Sequence, residues 1–284
     1  MKYVVSGIRA WTPLLVGSMF LFVCSCTNLS AVREFARNSA NSLEYTRLTE
    51  AYVQWPQTQK RFQPANQYAH LDRLAGERKL QENELLLRHS IIQDYMQVLG
   101  ELASDEVVTY DKEIDSLGDA AAAANFIEVK DGAAYAAIAK LVVTATTDRW
   151  RQAKLKKFVT TSNDDLQTLL ASLKEILKNG YLGDLKDEKV AVGMHYGGLV
   201  SKSKDPAGIA ALQEWQREKE DSIALREQAI QEYLFILQKI AQAHQQLTDA
   251  ISVNNVTSNE FLGQMSRYAK DIRATFNAIV SMNQ

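Results

Sequence analysis

Two long series of mainly apolar residues, spaced alternately three and four apart, constrain the fold of this chain more than any other feature. The first run begins after Pro64 and continues to Ala103. Its seam positions are Leu71, Leu74, Arg78, Gln81, Leu85, Arg88, Ile92, Tyr95, Leu99 and Leu102. This spacing is the heptad pattern of helices that pack side by side. It predicts one helix over residues 64–103, about 60 Å long at 1.5 Å per residue.

The same pattern returns 138 residues later, after Pro206. Its seam positions are Ile209, Leu212, Gln216, Lys219, Ile223, Arg226, Ile230, Tyr233, Leu237 and Ile240. Residues 71–103 and 209–241 share nine identical residues, including Arg88/Arg226 and Tyr95/Tyr233 at the seam. Two interpretations stay open: a coincidence between heptad helices, or a duplicated helical unit with related halves at about 30–147 and 160–284.

The composition of the chain favours helices throughout. Beyond residue 26 there are three prolines, and the helix-forming residues Ala, Leu, Gln, Glu and Lys are abundant. No stretch alternates apolar and polar residues for long enough to indicate a strand. We therefore predict an all-α protein, an elongated antiparallel helical bundle with two long coiled-coil-like helices. Residues 26–284 are long enough to form a single domain with a sizeable core.

Local signals predict where the other helices begin and end. Trp55-Pro56 is expected to end the first helix, because the residue before a proline avoids the helical conformation. Asn163 is expected to cap a short amphipathic helix that ends at Asn179-Gly180. Asn254-Asn255 is expected to form a turn before a last helix that Ser258 caps.

The first 26 residues carry a signature of their own. Lys2 and Arg9 precede an apolar run of about 14 residues, from Ala10 to Val23. The run is followed by Cys24, Ser25 and Cys26. A positive start, a short apolar middle and a small residue at the cut are typical of a secretory signal peptide. The run is shorter than the roughly 20 residues that span a bilayer. Residues 1–25 are therefore predicted to be a signal peptide.

The end of this signal, Val23-Cys24-Ser25-Cys26, resembles the lipobox of bacterial lipoproteins. In that family a small residue precedes a cysteine that is lipidated and becomes the new N-terminus. The resemblance implies a di- or triacylated, palmitate-type anchor on Cys26. Thr27, at a place where Asp favours inner-membrane retention, is similar to lipoproteins of the outer membrane. The resemblance thus implies a lipid-anchored protein facing the periplasm; the alternative is a plain cleaved signal peptide.

Motifs that would indicate catalysis or metal binding are missing from the sequence. No cysteine follows Cys26, which excludes disulfides, thiol catalysis and cysteine-ligated zinc in the mature chain. The four histidines form no His-Glu-x-x-His or Glu-x-x-His pattern, and no Gly-x-Ser-x-Gly occurs. The glycines within 193–198 lack the Gly-Lys-Ser/Thr ending of a P-loop, so we expect a close helix contact or a bend there. We expect no enzyme, no cofactor and no metal.

A basic segment with aromatic neighbours lies in the middle of the chain, between Asp148 and Phe158. It contains Arg149, Trp150, Arg151, Lys154, Lys156 and Lys157. Basic residues beside aromatic ones suit an anionic membrane surface or an acidic partner. The alternative is a solvated helix face, which is the commoner role of such a run and the one we favour.

An alanine-rich stretch over residues 120–147 precedes the basic segment. One interpretation is a hairpin that inserts into a membrane, as in α-helical pore-forming toxins. The other is tight packing of helices in a soluble bundle, since small side chains allow close approach. Glu128, Lys130 and Asp131 interrupt the stretch, and no span of about 18 apolar residues exists. The sequence favours packing.

Arg88 and Arg226 occupy equivalent seam positions of the two long runs. An unpaired charge inside a packed seam is costly. The guanidinium groups therefore either extend outward along their stems, pair with acids such as Glu82, Glu84 or Glu227, or form an anion-binding or partner-binding groove between the two long helices.

The sequence leaves three functional hypotheses. The favoured one is a non-enzymatic lipoprotein of the cell envelope, an adaptor or structural factor that binds an envelope protein. The second is an inhibitor or immunity lipoprotein against an envelope-directed toxin, and the third is a helical membrane-active protein. Thirty Lys and Arg residues against 34 Asp and Glu residues after the signal give a net charge near −4, which does not indicate nucleic-acid binding.

Overall fold

The computed structural model describes residues 29–104, 129–147 and 152–282. Every regular element in these ranges is helical, which confirms the predicted all-α bundle. The helices are α1 (Ser30–Leu43), α2 (Arg47–Gln59), α3 (Tyr68–Leu102), α4 (Val129–Thr147), α5 (Gln152–Glu175), α6 (Leu182–Lys202), α7 (Pro206–Ser252) and α8 (Asn259–Met282). A 3₁₀ turn (Ala65–Gln67) leads into α3, and a π-helical segment (Ile176–Tyr181) joins α5 to α6.

The two long runs form the two longest described helices, α3 and α7. The start of α7 is well defined, because Pro206 is its first residue and the Asp205 carboxylate accepts hydrogen bonds from the amides of Ala207 and Gly208 at 3.3 and 2.9 Å. Its 47 residues correspond to about 70 Å. The seam residues of both helices are most deeply buried in their C-terminal parts, from Leu85 in α3 and Ile223 in α7 onward.

We call the compact end of the molecule the body. It contains α1, α4, α5, α8 and the C-terminal parts of α3 and α7, which pack around one apolar core. Large side chains fill this core completely: Phe35, Ile92, Tyr95, Tyr135, Phe158 and Tyr233. Helix α1 begins beside the end of α3, since the Cβ position of Gly100 lies 3.4 Å from the Cβ of Ala36.

The other end, which we call the neck, consists of two helical hairpins. One is formed by α2 and the N-terminal part of α3, the other by α6 and the N-terminal part of α7. Contacts between the hairpins advance in the same direction along both segments of the chain. Tyr52 contacts Tyr181, Trp55 contacts Glu188, and Phe62 contacts His195. The hairpins therefore lie side by side and point the same way.

The long helices also run in the same direction as each other. His89 of α3 is hydrogen-bonded to Tyr233 of α7, and further along both helices Tyr95 is hydrogen-bonded to His244. Antiparallel packing is found between α5 and α7, where Asn163 contacts Gln245 and Gln167 contacts Ala241. The bundle is thus antiparallel between these two helices and parallel between its two long ones.

The expected helix end at Trp55-Pro56 is wrong, because Pro56 lies inside α2. A proline in a helix cannot donate to the carbonyl four residues earlier, which here is that of Tyr52. A guanidinium nitrogen of Arg78 donates to this carbonyl instead, at 2.9 Å. The lost backbone bond is replaced by a side chain from α3, so the helix continues.

The expected short helix between Asn163 and Asn179-Gly180 is also wrong. Asn163 lies in the middle of α5, where its side chain bonds to α7, and the chain passes through the π-helical segment into α6. Gly180 serves close packing here: a Cβ at this position would lie 3.0 Å from the Tyr52 ring. Asn163 and Gly180 therefore serve contacts with other helices rather than a helix cap and a helix end.

The expected turn before the last helix is confirmed. Asn254 has a positive φ of 54°, a conformation that Asn tolerates better than most residues. The Ser258 hydroxyl then accepts a hydrogen bond from the Phe261 amide at 3.2 Å, which caps α8.

Candidate functional site

The neck contains an ionic network, buried except for Arg226, whose side chain is 32% exposed. We call it the charged cluster: Trp55, Arg78, Asp184, Glu188 and Arg226. Arg78 and Asp184 form its first ion pair, with guanidinium nitrogens 2.7 and 2.8 Å from the two carboxylate oxygens. Their side chains are only 6% and 12% exposed. Burial raises the pKa of the Asp184 carboxyl, while the neighbouring Arg78 opposes this rise.

Aromatic rings enclose the Arg78 guanidinium. Its central carbon lies 4.1 Å from the centre of the Tyr52 ring and 5.3 Å from that of Trp55. Ring faces attract cations, and the attraction grows when water is excluded. Arg78 is thereby held by a carboxylate, a backbone carbonyl and two rings, which come from α2 and α6.

Glu188 joins the second ion pair to the first. Its carboxylate accepts from the Trp55 indole at 3.1 Å and from both terminal nitrogens of Arg226 at 2.6 and 3.1 Å. A bidentate Arg–carboxylate contact fixes orientation as well as distance. The cluster therefore links α2, α3, α6 and α7 through Arg78, Asp184, Glu188 and Arg226, whose charges neutralise one another.

The body contains a second buried polar network, the neutral cluster: Tyr95, Ser162, Asn163 and His244. The Asn163 amide nitrogen donates to Gln245, so its oxygen accepts from Nδ1 of His244 at 2.9 Å. The other ring nitrogen, Nε2, is then left to accept from the Tyr95 hydroxyl at 2.6 Å. Burial lowers the pKa of His244 to about 3, so the ring stays neutral.

A second Tyr–His pair joins the same two long helices. Here the tyrosine, Tyr233, comes from α7 and the histidine, His89, comes from α3. The Tyr233 hydroxyl of α7 is 3.1 Å from Nδ1 of His89 on α3, and Thr49 is 3.4 Å from Nε2. Burial lowers the pKa of His89 to about 4. Burial likewise raises the pKa of both tyrosines above the ordinary value.

The two arginines singled out from the sequence are both engaged by carboxylates. Arg88 is buried, and a guanidinium nitrogen lies 2.6 Å from a Glu84 oxygen one turn earlier in α3. Arg226 is bound by Glu188 in the charged cluster. Pairing with Glu84 was one of the alternatives considered from the sequence. The anion-binding groove stays a prediction, in which an anion would have to compete with Glu84 and Glu188.

Most of the other predicted contact residues lie at the edge of the described part of the chain. Cys26 and residues 149–151 fall outside it. Lys154 lies in the first turn of α5, and Lys156 and Lys157 are exposed on the same helix. The membrane-surface contact of this segment stays a prediction.

The described portion of the alanine-rich stretch is α4. Tyr135, Ile138, Ala139 and Val142 of this helix are buried in the body, so packing is the role the structure gives them. Residues 120–128 fall outside the described ranges. Within those ranges no helix is long and apolar enough to cross a membrane.

Sequence reasoning missed Trp55, Arg78, Asp184 and Glu188 as members of one cluster. Arg78 did carry a signal, because it is a charged residue at a heptad seam position just as Arg88 is. Asp184 and Glu188 lie near the start of α6, where acids commonly complement the helix dipole, so their position in the sequence gives no signal of burial. Their burial depends on the parallel packing of two hairpins, which no local pattern reports.

The donors and acceptors of both clusters are satisfied mainly by each other. An open groove of about 440 Å³ lies between α2 and α3, with mixed polar walls that include Gln54, Arg61 and Lys79. Across the described ranges no group of three or more His, Cys, Asp and Glu side chains could hold a metal ion.

Comparison with known proteins adds no assignment: no family model, no curated protein and no solved structure matches this chain.

Proposed function

We propose that this chain is a lipid-anchored lipoprotein of the bacterial envelope, on the periplasmic face of the outer membrane, that works without catalysis by binding an envelope protein. The lipobox-like Val23-Cys24-Ser25-Cys26 supports the anchor. The buried clusters support a mechanical role, since their polar groups are used to join helices.

The observation that carries the proposal is the exposed apolar surface of the α6–α7 hairpin. Val190 and Met194 of α6 are 60% and 67% exposed, and Trp215 of α7 is 53% exposed. Scattered single apolar residues are normal on a surface, but a patch on one element marks an interaction site. Large exposed aromatic and Met side chains are also the residues that interfaces favour.

The position of this surface suits an anchored adaptor. The described chain begins at Leu29, at the end of the body where α3 finishes, whereas the hairpin tip lies at the opposite end of the neck. Helix α7 alone measures about 70 Å. A lipid on Cys26 would therefore hold the body close to the membrane and present the α6–α7 hairpin several nanometres away from it.

Site-specific photo-crosslinking in native envelopes tests the proposal. A photo-reactive residue at Met194 should yield a defined protein adduct, while the same residue at Leu80, 84% exposed on α3, should not. A Cys26→Ser form should lose or misplace the adduct. The identity of the partner separates an adaptor from an inhibitor of an incoming toxin. No protein adduct at Met194, or equal adducts at both positions, would refute the proposal.

A further inference from the structure

Helix α6 has an outer face that its own chain does not explain. From Val190 to Ser201 the sequence contains no Asp, Glu, Lys or Arg, although α6 covers the neck on one side only. Two overlapping series on the outer side follow three- and four-residue steps: Gly183, Lys186, Val190, Gly193 and Gly197, and Val190, Met194, Gly197 and Ser201. An amphipathic surface helix normally places charges on this side.

The glycines on this face are costly, and no described residue of the same copy packs against them. Glycine in a helix interior is less favourable than alanine, because it loses more backbone freedom on folding. Nothing among the described residues lies within 4 Å of a Cβ built at Gly193, Gly197 or Gly198, and α6 continues through all three. The predicted bend is therefore absent, and the predicted close contact is not made with any of the described residues.

Helix α7 has a matching outer stripe beside it. Ala211, Trp215, Glu218, Ser222 and Leu225 follow the same four- and three-residue steps, and Trp215 and Leu225 are 53% and 49% exposed. The turn at residues 203–205 makes α6 and α7 antiparallel, so Trp215 lies at about the height of Met194. The hairpin thus presents two adjacent helices with half-exposed apolar stripes.

Exposed charges of both signs lie on and beside these stripes, Asp187 of α6 and Arg217 of α7 among them. Lys186 and Lys189 are exposed on α6, and Glu218 and Asp221 are exposed at about the same height on α7. If two hairpins pair about a two-fold axis parallel to their length, each α6 lies beside the α7 of the other copy at unchanged height. Lysines of one copy then face acids of the other, which is the charge pattern of an antiparallel four-helix bundle.

We propose that the occupant of this face is a second copy of the chain, paired hairpin to hairpin into a four-helix bundle. The proposal rests on the proposed function, because it names one partner of that same surface. Glycines 193 and 197 admit the second hairpin closely, and Met194 and Trp215 fill the shared core. The axis runs along the hairpins, so Leu29 of both copies lies on the same side, and lipids on the two Cys26 residues would enter one membrane.

The mass of the exported Cys26→Ser chain in solution tests the pairing. Light scattering should give twice the chain mass. Met194→Glu places like charges in the shared core and should raise the dimer Kd by at least about tenfold. Leu80→Glu is the matched control at an exposed apolar position of α3, and it should leave the mass unchanged. A monomer at about 0.1 mM, or a dimer insensitive to Met194→Glu, overturns the proposal.

Charge reversal tests the arrangement without touching the apolar core. Lys189→Glu should weaken the dimer by about three- to tenfold, and adding Glu218→Lys in the same chain should restore it. Failure of the second change to restore affinity overturns the four-helix arrangement. The proposed function is judged separately: a monomer that still crosslinks to another envelope protein through Met194 refutes the second copy and leaves the adaptor role standing.

Discussion

The molecule joins helices by buried polar groups in two different ways, charged in the neck and neutral in the body. In the neck, Arg78 and Asp184 meet as full charges inside a shell of aromatic rings. In the body, Tyr95 and His244 meet as neutral groups deep in the core. Tyr95 and His244 are completely buried, where an ion would be penalised heavily, whereas the side chains of Arg78 and Asp184 keep 6% and 12% of their surface exposed.

Removing one partner should also lower the folding stability by different amounts in the two systems. A buried ion that loses its partner keeps its desolvation penalty, while a neutral hydroxyl that disappears leaves one acceptor unmet. We therefore expect losses of folding stability that are largest for changes in the neck and smaller for changes in the body. Measuring them either strengthens or removes the contrast between the two systems.

The largest effect is expected from Asp184→Asn, which leaves the Arg78 charge buried without a counter-ion. Such changes cost about 3–5 kcal/mol. Urea denaturation of residues 27–284 measures the loss. Glu214→Gln is the control, because the Arg217–Glu214 pair is 68% exposed on both sides and should contribute little. If both variants lose equal stability, the charged cluster has no special role.

Replacing the buried pair as a whole should cost much less than breaking it. Arg78→Met with Asp184→Leu removes both charges at similar volume, and such replacements are often neutral. The double variant should recover most of the stability lost by Asp184→Asn. A double variant as unstable as the single one would show that the aromatic shell and the Tyr52 carbonyl need the guanidinium itself.

Acid should weaken the body next. His89 and His244 have pKa values lowered by burial to about 4 and about 3, against about 6.5 in the unfolded chain. Below about pH 6.5 the unfolded chain binds protons that the folded chain does not, so stability is full above that pH and falls as pH decreases toward the folded values. The loss between pH 7 and pH 5 should be on the order of 2 kcal/mol per histidine.

The histidine effect can be isolated by His89→Gln, which should make the fall between pH 7 and pH 5 shallower. His70→Gln, at an exposed position of α3, should leave the slope unchanged. Equal slopes in both variants would contradict the prediction.

A smaller effect is expected from the tyrosine hydroxyls of the body. Tyr95→Phe removes the partner of His244 Nε2 and should cost about 1–3 kcal/mol, because the acceptor stays buried. Tyr68→Phe is the control, since Tyr68 is 39% exposed and water can replace its bond to Lys60. A Tyr95→Phe loss as large as that of Asp184→Asn would remove the distinction between neutral and charged clusters.

The smallest effect is expected from glycine substitutions in the helices of the neck, which leave both clusters unchanged. Gly193→Ala should stabilise the chain by up to about 1 kcal/mol, because alanine favours helix and the Cβ meets open space. Gly180→Ala, in the π-helical segment, should instead destabilise it, because its Cβ would lie 3.0 Å from the Tyr52 ring. Melting temperatures at low protein concentration compare the two. Opposite signs support the packing described here.

Much of the fold could be predicted from the sequence, because heptad spacing is a local property. The two long helices and the last helix with its Asn254 turn follow from residues close together in the chain. The continuation through Pro56 could not be predicted, because the replacement for its missing N–H is a guanidinium of Arg78 in another helix. Asn163 behaves in the same way, with its partners on α7.

The candidate sites were less predictable than the helices. Arg88 and Arg226 could be recognised as unusual seam charges, but their partners, Glu84 and Glu188, differ in kind. Glu84 lies one turn away in the same helix, whereas Glu188 comes from another hairpin. Long-range pairs of this second type depend on how helices pack, which heptad spacing leaves undetermined.

The π-helical segment has a consequence for how the neck tolerates insertions and deletions. Each residue advances a helix by about 100°, and a π turn holds one more residue than an α turn. The segment at Ile176–Tyr181 therefore sets the angular phase of everything that follows in α6. Removing a single residue there would turn Asp184 and Glu188 about a quarter of a revolution away from Arg78 and Trp55. It would also bring the outer residues Val190, Gly193 and Gly197 partly inward.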